Sequence, residues 1–386
     1  MEEEVTELLG RGKSERRAPV DAAPGYRNGQ GQPRQLTLGS GTIQVRRPRV
    51  RGLEARFESR VLPWFLRRTP AVSDLLPELY LHGLAEGDFD LALRGLLGEE
   101  APLSASTVAR LKSKWQGELA EGNQCRLEGL EVVYRWVDGV YVKAGLEDRQ
   151  AALLVARAGL SDGRKGVLAL QAGPRESAES WGRLLRDLKA RGLQAPRLVI
   201  GDGHLGLWAG LRAVYPEAAE QRCWNHRLLN LLDRIAKRDQ RAAKQLLDKI
   251  VYANTVAQAG REKAAFQRWC REQGYADAAE LIEQDWEKMT AFYAFPRAHW
   301  PHLRTTNPVE SPFAALRLRT DAAKRFKRVE NATALIWKML LIAESRFRRL
   351  NAPELLGESL ILREVFQGAV YVNGVRPSDQ PERLAA

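Results

Sequence analysis

The sequence predicts an α/β protein whose mixed core is interrupted by an all-helical insertion and preceded by a helical amino-terminal part. Three observations carry this expectation. Apolar strands with Gly-containing turns give way to amphipathic helices between residues 126 and 226, the chain then reads as helical to about Met289, and apolar-periodic helical segments precede the strands. The length of 386 residues allows more than one domain, since single cores stop growing at roughly 150–250 residues. Sixty Lys and Arg against 48 Asp and Glu leave a formal charge of +12. That surplus favours a polyanionic partner through counterion release, nucleic acid first among them, although a basic enzyme of another kind has the same balance.

Residues 1–70 read as a basic, partly flexible region with a small hairpin. The turn signals lie in GYRNGQGQP, and the alternating stretch Thr42 to Val45 runs into RRPRVRG. Arg46, Arg47 and Arg49 are placed to follow phosphates, or simply to solvate a face. Residues 71–125 form a helical domain. AVSDLLPELYLHGLAEGDFDLALRGLLGE gives two segments broken at Gly87, and PLSASTVARLKSKWQGELA gives a third, with Ser104 or Ser106 as its cap. Thr107, Arg110, Lys112 and Lys114 decorate the start and exposed side of that last helix. The trio suits a helix-turn-helix whose final helix enters a major groove; an ordinary bundle with a basic face fits the same pattern.

Residues 126–226 hold the strands GLEVVYRWVDGVYVKAG, AALLVARAG and KGVLALQAG, then the helix ESAESWGRLLRDLKARGL, the strand PRLVIGDG and the helix HLGLWAGLRAVYP. Three strands, helix, strand, helix is the order of a ribonuclease-H-like core, and AEQRCW adds a last short strand. Residues 227–304 read as a helical insertion. Residues 305–350 return to the core as its last helical part, and 351–386 form a tail.

Asp138 lies inside an apolar strand and Asp202 directly after one, in LVIGDG. Buried carboxylates are costly unless they are paired or hold a metal, and strand carboxyl ends are where open α/β sheets bind ligands, with Gly201 and Gly203 allowing close approach. Two such aspartates on adjacent strands suit hard divalent ions and a two-metal phosphodiester reaction. Each also has a local reading, because Asp-Gly is a turn signal. Glu310 follows Asn307 and Pro308 with the spacing of a capping box. The positive run after it, Arg317, Arg319, Lys324, Arg325, Lys327 and Arg328, suits a phosphate backbone passing a catalytic carboxylate.

Cys223 and His226 form a Cys-x-x-His pair, half of a zinc site without matched partners, and better suited to structure or to positioning DNA. Trp224 and Trp300 have the chemistry to stack on a displaced base, with core packing as the plainer reading. No phosphate loop, GxSxG, HExxH or dinucleotide fingerprint occurs. No run approaches the roughly 20 apolar residues that span a bilayer. The three cysteines are far apart, which suits a reducing compartment. The expected location is therefore the cytoplasm, on the nucleoid, without membrane contact.

At VDGVYVKAG, GDGHLGLWAGL, QRCWNHRLLNLL and TTNPVESPFAALRLRT, with YRNG and SASTVARL before them, the sequence resembles the IS256 or Mutator-type insertion-sequence transposases. The resemblance implies a ribonuclease-H-like catalytic domain split by a helical insertion, with Asp138, Asp202 and Glu310 as its successive acidic residues. It also implies that Cys223 and His226 are the signature after the second aspartate, and that the amino-terminal region binds terminal inverted repeats. Gly139 stands where that family more often has Ala, and Ser311-Pro312 where it often has Ser-Asn. The expected reaction uses two Mg2+ or Mn2+ ions: water frees a 3'-hydroxyl at the element's end, and that hydroxyl attacks target double-stranded DNA in line. Pairing two ends implies a homodimer or higher oligomer on DNA. A non-catalytic DNA-binding relic of a transposase and a ribonuclease-H-like nuclease or resolvase are the alternative readings.

Overall fold

Short polar strands and capped helices build the amino-terminal part. The computed structural model describes residues 1–17, 23–63, 66–84, 88–98, 105–145 and 150–356, with backbone alone at 89–90 and 105–108. These fall into two compact units, Met1–Leu111 and Lys112–Ala386. The first contains α1 (Glu2–Leu9), β1 (Tyr26–Gln30), β2 (Arg34–Leu38), β3 (Gly41–Val45), β4 (Pro48–Arg51), α2 (Pro70–Leu81), α3 (Phe89–Leu97) and the start of α4 (Ala105–Gln124). In place of one hairpin there are two antiparallel pairs, β2 with β3 and β1 with β4. Asn28-Gly29, a turn signal in the sequence, lies within β1, where pairing jumps between Arg27 and Gln30 and Gly29 has φ +67°. The pair makes a bulge rather than a turn.

Helix α1 is absent from the sequence-based expectation because eight residues with only Val5 and Leu9 buried carry too little period. It is held by tertiary bonds: the Glu4 carboxylate accepts from Ser59 Oγ at 2.6 Å and from the Arg60 amide at 2.8 Å. Helices α2, α3 and α4 match the expected trio. Gly87 and Ser104 lie outside the described residues, and Ser106 lies within α4 rather than at its cap.

The second unit contains β5 (Val132–Lys143), β6 (Gln150–Leu160), β7 (Lys165–Gly173), α5 (Ala178–Ala190), β8 (Leu198–Gly201), α6 (Leu205–Val214) and β9 (Ala219–Arg222). The sheet order is β7-β6-β5-β8-β9. β5, β6 and β7 pair antiparallel, whereas β8 runs parallel to both β5 and β9. Parallel neighbours need crossovers, and α5 and α6 supply them. Helix α5 presents Trp181, Leu184, Leu185 and Leu188 at helical spacing, with Ser177 capping it by accepting from the Ser180 amide. These side chains pack with Leu207, Trp208 and Leu211 of α6 onto Val137, Leu154 and Ala156 of the sheet.

Beyond β9 the chain is helical: α7 (Trp224–Leu232), α8 (Gln240–Val251), α9 (Val256–Glu272), α10 (Ala276–Leu281), α11 (Trp286–Thr290), α12 (Trp300–Leu303), α13 (Asn307–Glu310), α14 (Phe313–Ala323) and α15 (Val329–Glu344). Trp224 and Trp300 are core residues, their indoles donating to the carbonyls of Met289 and Phe295 at 2.8 Å each. Among the described residues no helix is long and apolar enough to cross a membrane.

Leu185 is fully buried and Arg186 beside it is exposed. Leu185→Ala is expected to lower stability by about 2–5 kcal/mol, and Arg186→Ala by no more than about 0.5 kcal/mol. Urea unfolding of the two variants checks the core; equal midpoints would contradict it.

Candidate active site

β5 alternates its side chains between two environments, as a strand must. Val137 enters the core under α5 and α6, while Tyr134, Trp136 and Asp138 share the opposite face. Tyr134 bonds to His299 Nδ1 at 2.8 Å, and because His299 Nε2 lies 3.1 Å from the Ala352 carbonyl, the tyrosine is the donor. The Trp136 indole donates to the His302 carbonyl at 2.9 Å. Asp138, two residues further along the same face, lies within electrostatic reach of Glu310.

β5 and β8 pair in parallel up to Trp136 and Ile200. Continuing that register by two residues sets Asp138 beside Asp202, just past the end of β8. The Asp138 carboxylate accepts from the Gly139 amide and Asp202 from the His204 amide, each at 2.8 Å. His204 in turn caps α6 by accepting from the Gly206 amide. Gly203 has φ +100°, a conformation that favours glycine, and a Cβ there would lie 2.6 Å from Arg222 Cζ. At Gly201 a Cβ would overlap Leu207. Both glycines thus admit the protein's own side chains, where the sequence had suggested room for a ligand.

Glu310 ends the single turn of α13. Thr306, not Asn307, is the cap residue, and no side chain caps the helix. The capping box expected at Asn307 and Glu310 does not form. Instead the Thr306 hydroxyl donates to Glu310 Oε1, and the Asn307 side chain accepts from Asn225 at 2.9 Å. Thr306 also meets Cys223: its amide donates to Sγ at 3.3 Å, and its Oγ1 lies 3.1 Å from Sγ. With the one hydroxyl proton given to Glu310, the thiol is left to donate to Oγ1. His226 Nδ1 is 3.8 Å from Glu310 Oε1.

Burial and the nearby Glu310 and Asp202 charges push the Asp138 carboxyl up to about 7, against the Gly139 amide. The His226 pKa is raised, first by its bond to Cys223 and then by the Glu310 and Asp138 charges, against the cost of burial. Burial and Asp202 also raise the Glu176 carboxyl. This is a concentration of negative charge with oxygen donors, which fits a hard divalent cation. Cys223, His226 and Glu310 also offer donor atoms within 4.8 Å of one another, but structural zinc wants four ligands, and Cys223 Sγ is engaged by Thr306.

The cations expected along DNA separate. Arg46, Arg49, Arg110 and Arg317 are exposed and Lys112 is half-buried, while the Thr107 side chain lies outside the described residues. Arg47 corrects the expectation: it is buried, and its guanidinium donates to the Leu62 and Pro63 carbonyls. Arg319 is buried as well, because residues two apart on a helix point to opposed sides. Lys324, Arg325, Lys327 and Arg328 are exposed. Sequence reasoning missed Thr306, Glu176 and Arg157. Arg157 on β6 donates to the Pro308 carbonyl and lies over the Phe347 ring at 3.1 Å. Glu176 and Arg157 meet partners distant in sequence, as Thr306 does in Cys223, so no local pattern marks those contacts; the Thr306–Glu310 bond, four residues apart, was the one local signal.

The family model described as transposase, Mutator family, matches residues 1–349. The chain is 41% identical over 311 residues to the transposase for insertion sequence element IS6120 of Mycolicibacterium smegmatis, covering 80% of this chain and 94% of that protein. It is 37% identical over 293 residues to the transposase for IST2 of Acidithiobacillus ferrooxidans, covering 74% and 94%. To the transposase for IS256 in transposon Tn4001 of Staphylococcus aureus it is 24% identical over 344 residues, covering 88% and 86%.

A carboxyl whose folded pKa is raised from 3.8 to about 7 costs stability as pH rises between those values, and the whole cost is present above the upper one. Asp138→Asn is therefore expected to stabilise the metal-free protein at pH 8 by on the order of 1–3 kcal/mol, with the gain shrinking towards pH 5. Thermal unfolding at both pH values is the check; a destabilised variant at pH 8 would show that the carboxylate is not crowded.

Proposed function

The chain belongs to the Mutator family of transposases, and from that premise we propose that it cuts and rejoins DNA at the ends of an insertion sequence, using Asp138, Asp202 and Glu310 as its catalytic carboxylates. The observation that carries this reading is the meeting of three carboxylates from separate parts of the chain at one strand end, in a protein of net charge +12. Order β7-β6-β5-β8-β9, with antiparallel strands first and parallel strands after, supports a ribonuclease-H-like core made of residues 126–226 and 305–350. Helices α7 to α12 then form an insertion over residues 227–304, and residues 71–125 bind the terminal inverted repeats.

Asp138, Asp202 and Glu310 would hold two Mg2+ or Mn2+ ions, which when bound lower the pKa of the attacking hydroxyl and neutralise charge on the scissile phosphate. The protein's own part is positional. The parallel register fixes the two aspartates, and Thr306 orients Glu310 through its hydroxyl. His226 supplies a positive charge beside Glu310, and Cys223 anchors Thr306. Water first attacks the phosphodiester at the element's end, leaving a 3'-hydroxyl, and that hydroxyl then attacks a target phosphodiester. One bond is exchanged for another of the same kind, so no nucleotide cofactor is needed. Two element ends must be held together, which calls for a homodimer or larger assembly on double-stranded DNA.

Asp138→Asn, Asp202→Asn and Glu310→Gln are each expected to reduce joining of a labelled inverted-repeat end to plasmid by about a thousandfold or more in Mg2+, with repeat binding retained. Joining by any of the three near the wild-type rate would sink the assignment. Arg49→Ala is expected to weaken repeat binding for all sequences alike and to lower the salt slope by about one. By contrast Arg47→Ala should destabilise the amino-terminal unit, because it leaves buried carbonyls without their donor. Binding measured across a salt series, beside thermal melts, separates the two.

A further inference from the structure

A fourth carboxylate lies against the same strand end, on the other face of β5. Glu176 precedes the Ser177 cap of α5 and is 8% exposed. Its carboxyl occupies the space that a side chain on Gly139 would fill: a Cβ there would lie 2.6 Å from Glu176 Cδ and overlap Oε1. Gly139 follows Asp138 directly, and strand alternation turns the two residues to opposite faces. Glu310 therefore stands on one side of the aspartate pair and Glu176 on the other, with Asp202 close enough for its charge to act on Glu176.

Among the described residues the hydrogen bonding of this group is incomplete. Glu176 Oε2 is buried without a partner among the described residues, and so is the neighbouring indole Nε1 of Trp181. The Tyr141 hydroxyl and the Trp181 indole lie close enough to favour the charged carboxylate, and burial and then Glu176 push the Tyr141 pKa up to about 12. A purely structural glutamate would be expected to use both oxygens, since a buried acceptor left open costs about 1–3 kcal/mol. An open oxygen beside Asp202 is the donor that a hydrated divalent cation requires.

We propose that Glu176 is a fourth acidic residue of the centre, binding a divalent cation or its water shell from the side of Asp202 opposite Glu310, and that residue 139 is glycine to make room for it. The proposal rests on the metal-dependent reading above and extends it to a residue outside the expected triad. In this arrangement α5 contributes directly to the centre: its amino-terminal approach carries a ligand, and the positive end of the helix dipole lies beside that carboxylate.

The test is Mn2+ binding to the purified full chain without DNA, followed by the electron paramagnetic resonance of free Mn2+, with thermal melts of the metal-free proteins alongside. Glu176→Gln keeps the shape and removes the charge; it is expected to weaken Mn2+ binding about tenfold while melting no lower than wild type. Gly139→Ala keeps the carboxylate and displaces it, so it should weaken binding to a similar extent, and it should add little in a chain that already carries Glu176→Gln. Asp202→Asn reports on the centre itself. If Asp202→Asn loses Mn2+ and Glu176→Gln binds it as wild type does, Glu176 is a packing residue and the proposal is overturned. If neither change affects binding, the metal reading of the whole centre falls and the proposal falls with it. Full additivity of the glycine and glutamate changes would overturn the claim that Gly139 exists for Glu176.

Discussion

The two-residue period of β5 sets the position of nearly every group at the candidate centre. Tyr134, Trp136 and Asp138 lie on one face, and each meets the segment from His299 to Glu310, through His299, the His302 carbonyl and the Glu310 charge in turn. Val137 lies on the other face, in the core beneath α5 and α6. A slip of one residue would exchange the faces, placing a carboxylate among leucines and a valine among carboxylates. Burial of the apolar face thus fixes the register, and the register fixes where the first aspartate stands. The same alternation places Gly139 against Glu176.

Glu310 depends on that strand for a further reason. Helix α13 is one turn long, far below the length at which a helix supports itself in water. Its shape is held from outside. Arg157 of β6 donates to the Pro308 carbonyl, Asn225 of α7 bonds to Asn307, and Cys223 engages Thr306. Arg157 is buried deeply enough that its pKa is pushed down to about 9. Its guanidinium lies over Phe347 while it donates, a pairing of planar stacking and directed hydrogen bonding that lysine does not reproduce. The third carboxylate is consequently placed by β6, α7 and the approach to α7, and its position is a property of the tertiary fold.

The sequence made the strands and helices of the second unit legible because their periods are long and clean, as in the strand around Asp138 and the helix around Leu185. Asp138 and Asp202 were legible for a related reason: each interrupts or ends an apolar run where a charge needs an explanation. The direction of a charged side chain was not legible. Arg47 and Arg319 sit in basic runs beside exposed arginines, yet both turn inward, and composition cannot distinguish a guanidinium bound to carbonyls from one bound to phosphate. The strands β1 and β4 were hidden because Asn-Gly serves a bulge as readily as a turn. Thr306 and Glu176 were hidden because their meaning lies in partners far along the chain, Cys223 for one and Gly139 for the other.

Charge connects the centre's folding to its proposed chemistry. Burial with the Glu310 and Asp202 charges raises the proton affinity of Asp138, and burial with Asp202 raises that of Glu176, so the metal-free fold carries an electrostatic cost where it gains little packing. His226 offsets part of that cost from the side of Glu310. Around Glu176 the described neighbours are the Trp181 indole N–H, the Tyr141 phenol and the His204 imidazole, whose charge acts against the Asp202 repulsion. A bound divalent ion would remove repulsion among all the carboxylates at once, and a ligand that binds the folded chain alone stabilises it by mass action. Sites that are strained when empty gain most from being filled, which is how preorganised charge becomes binding energy for a cation. On the proposed reading the crowding at Asp138 is no defect of folding: the basic surface would draw phosphates in, and the acidic pocket would hold the ions that act on them.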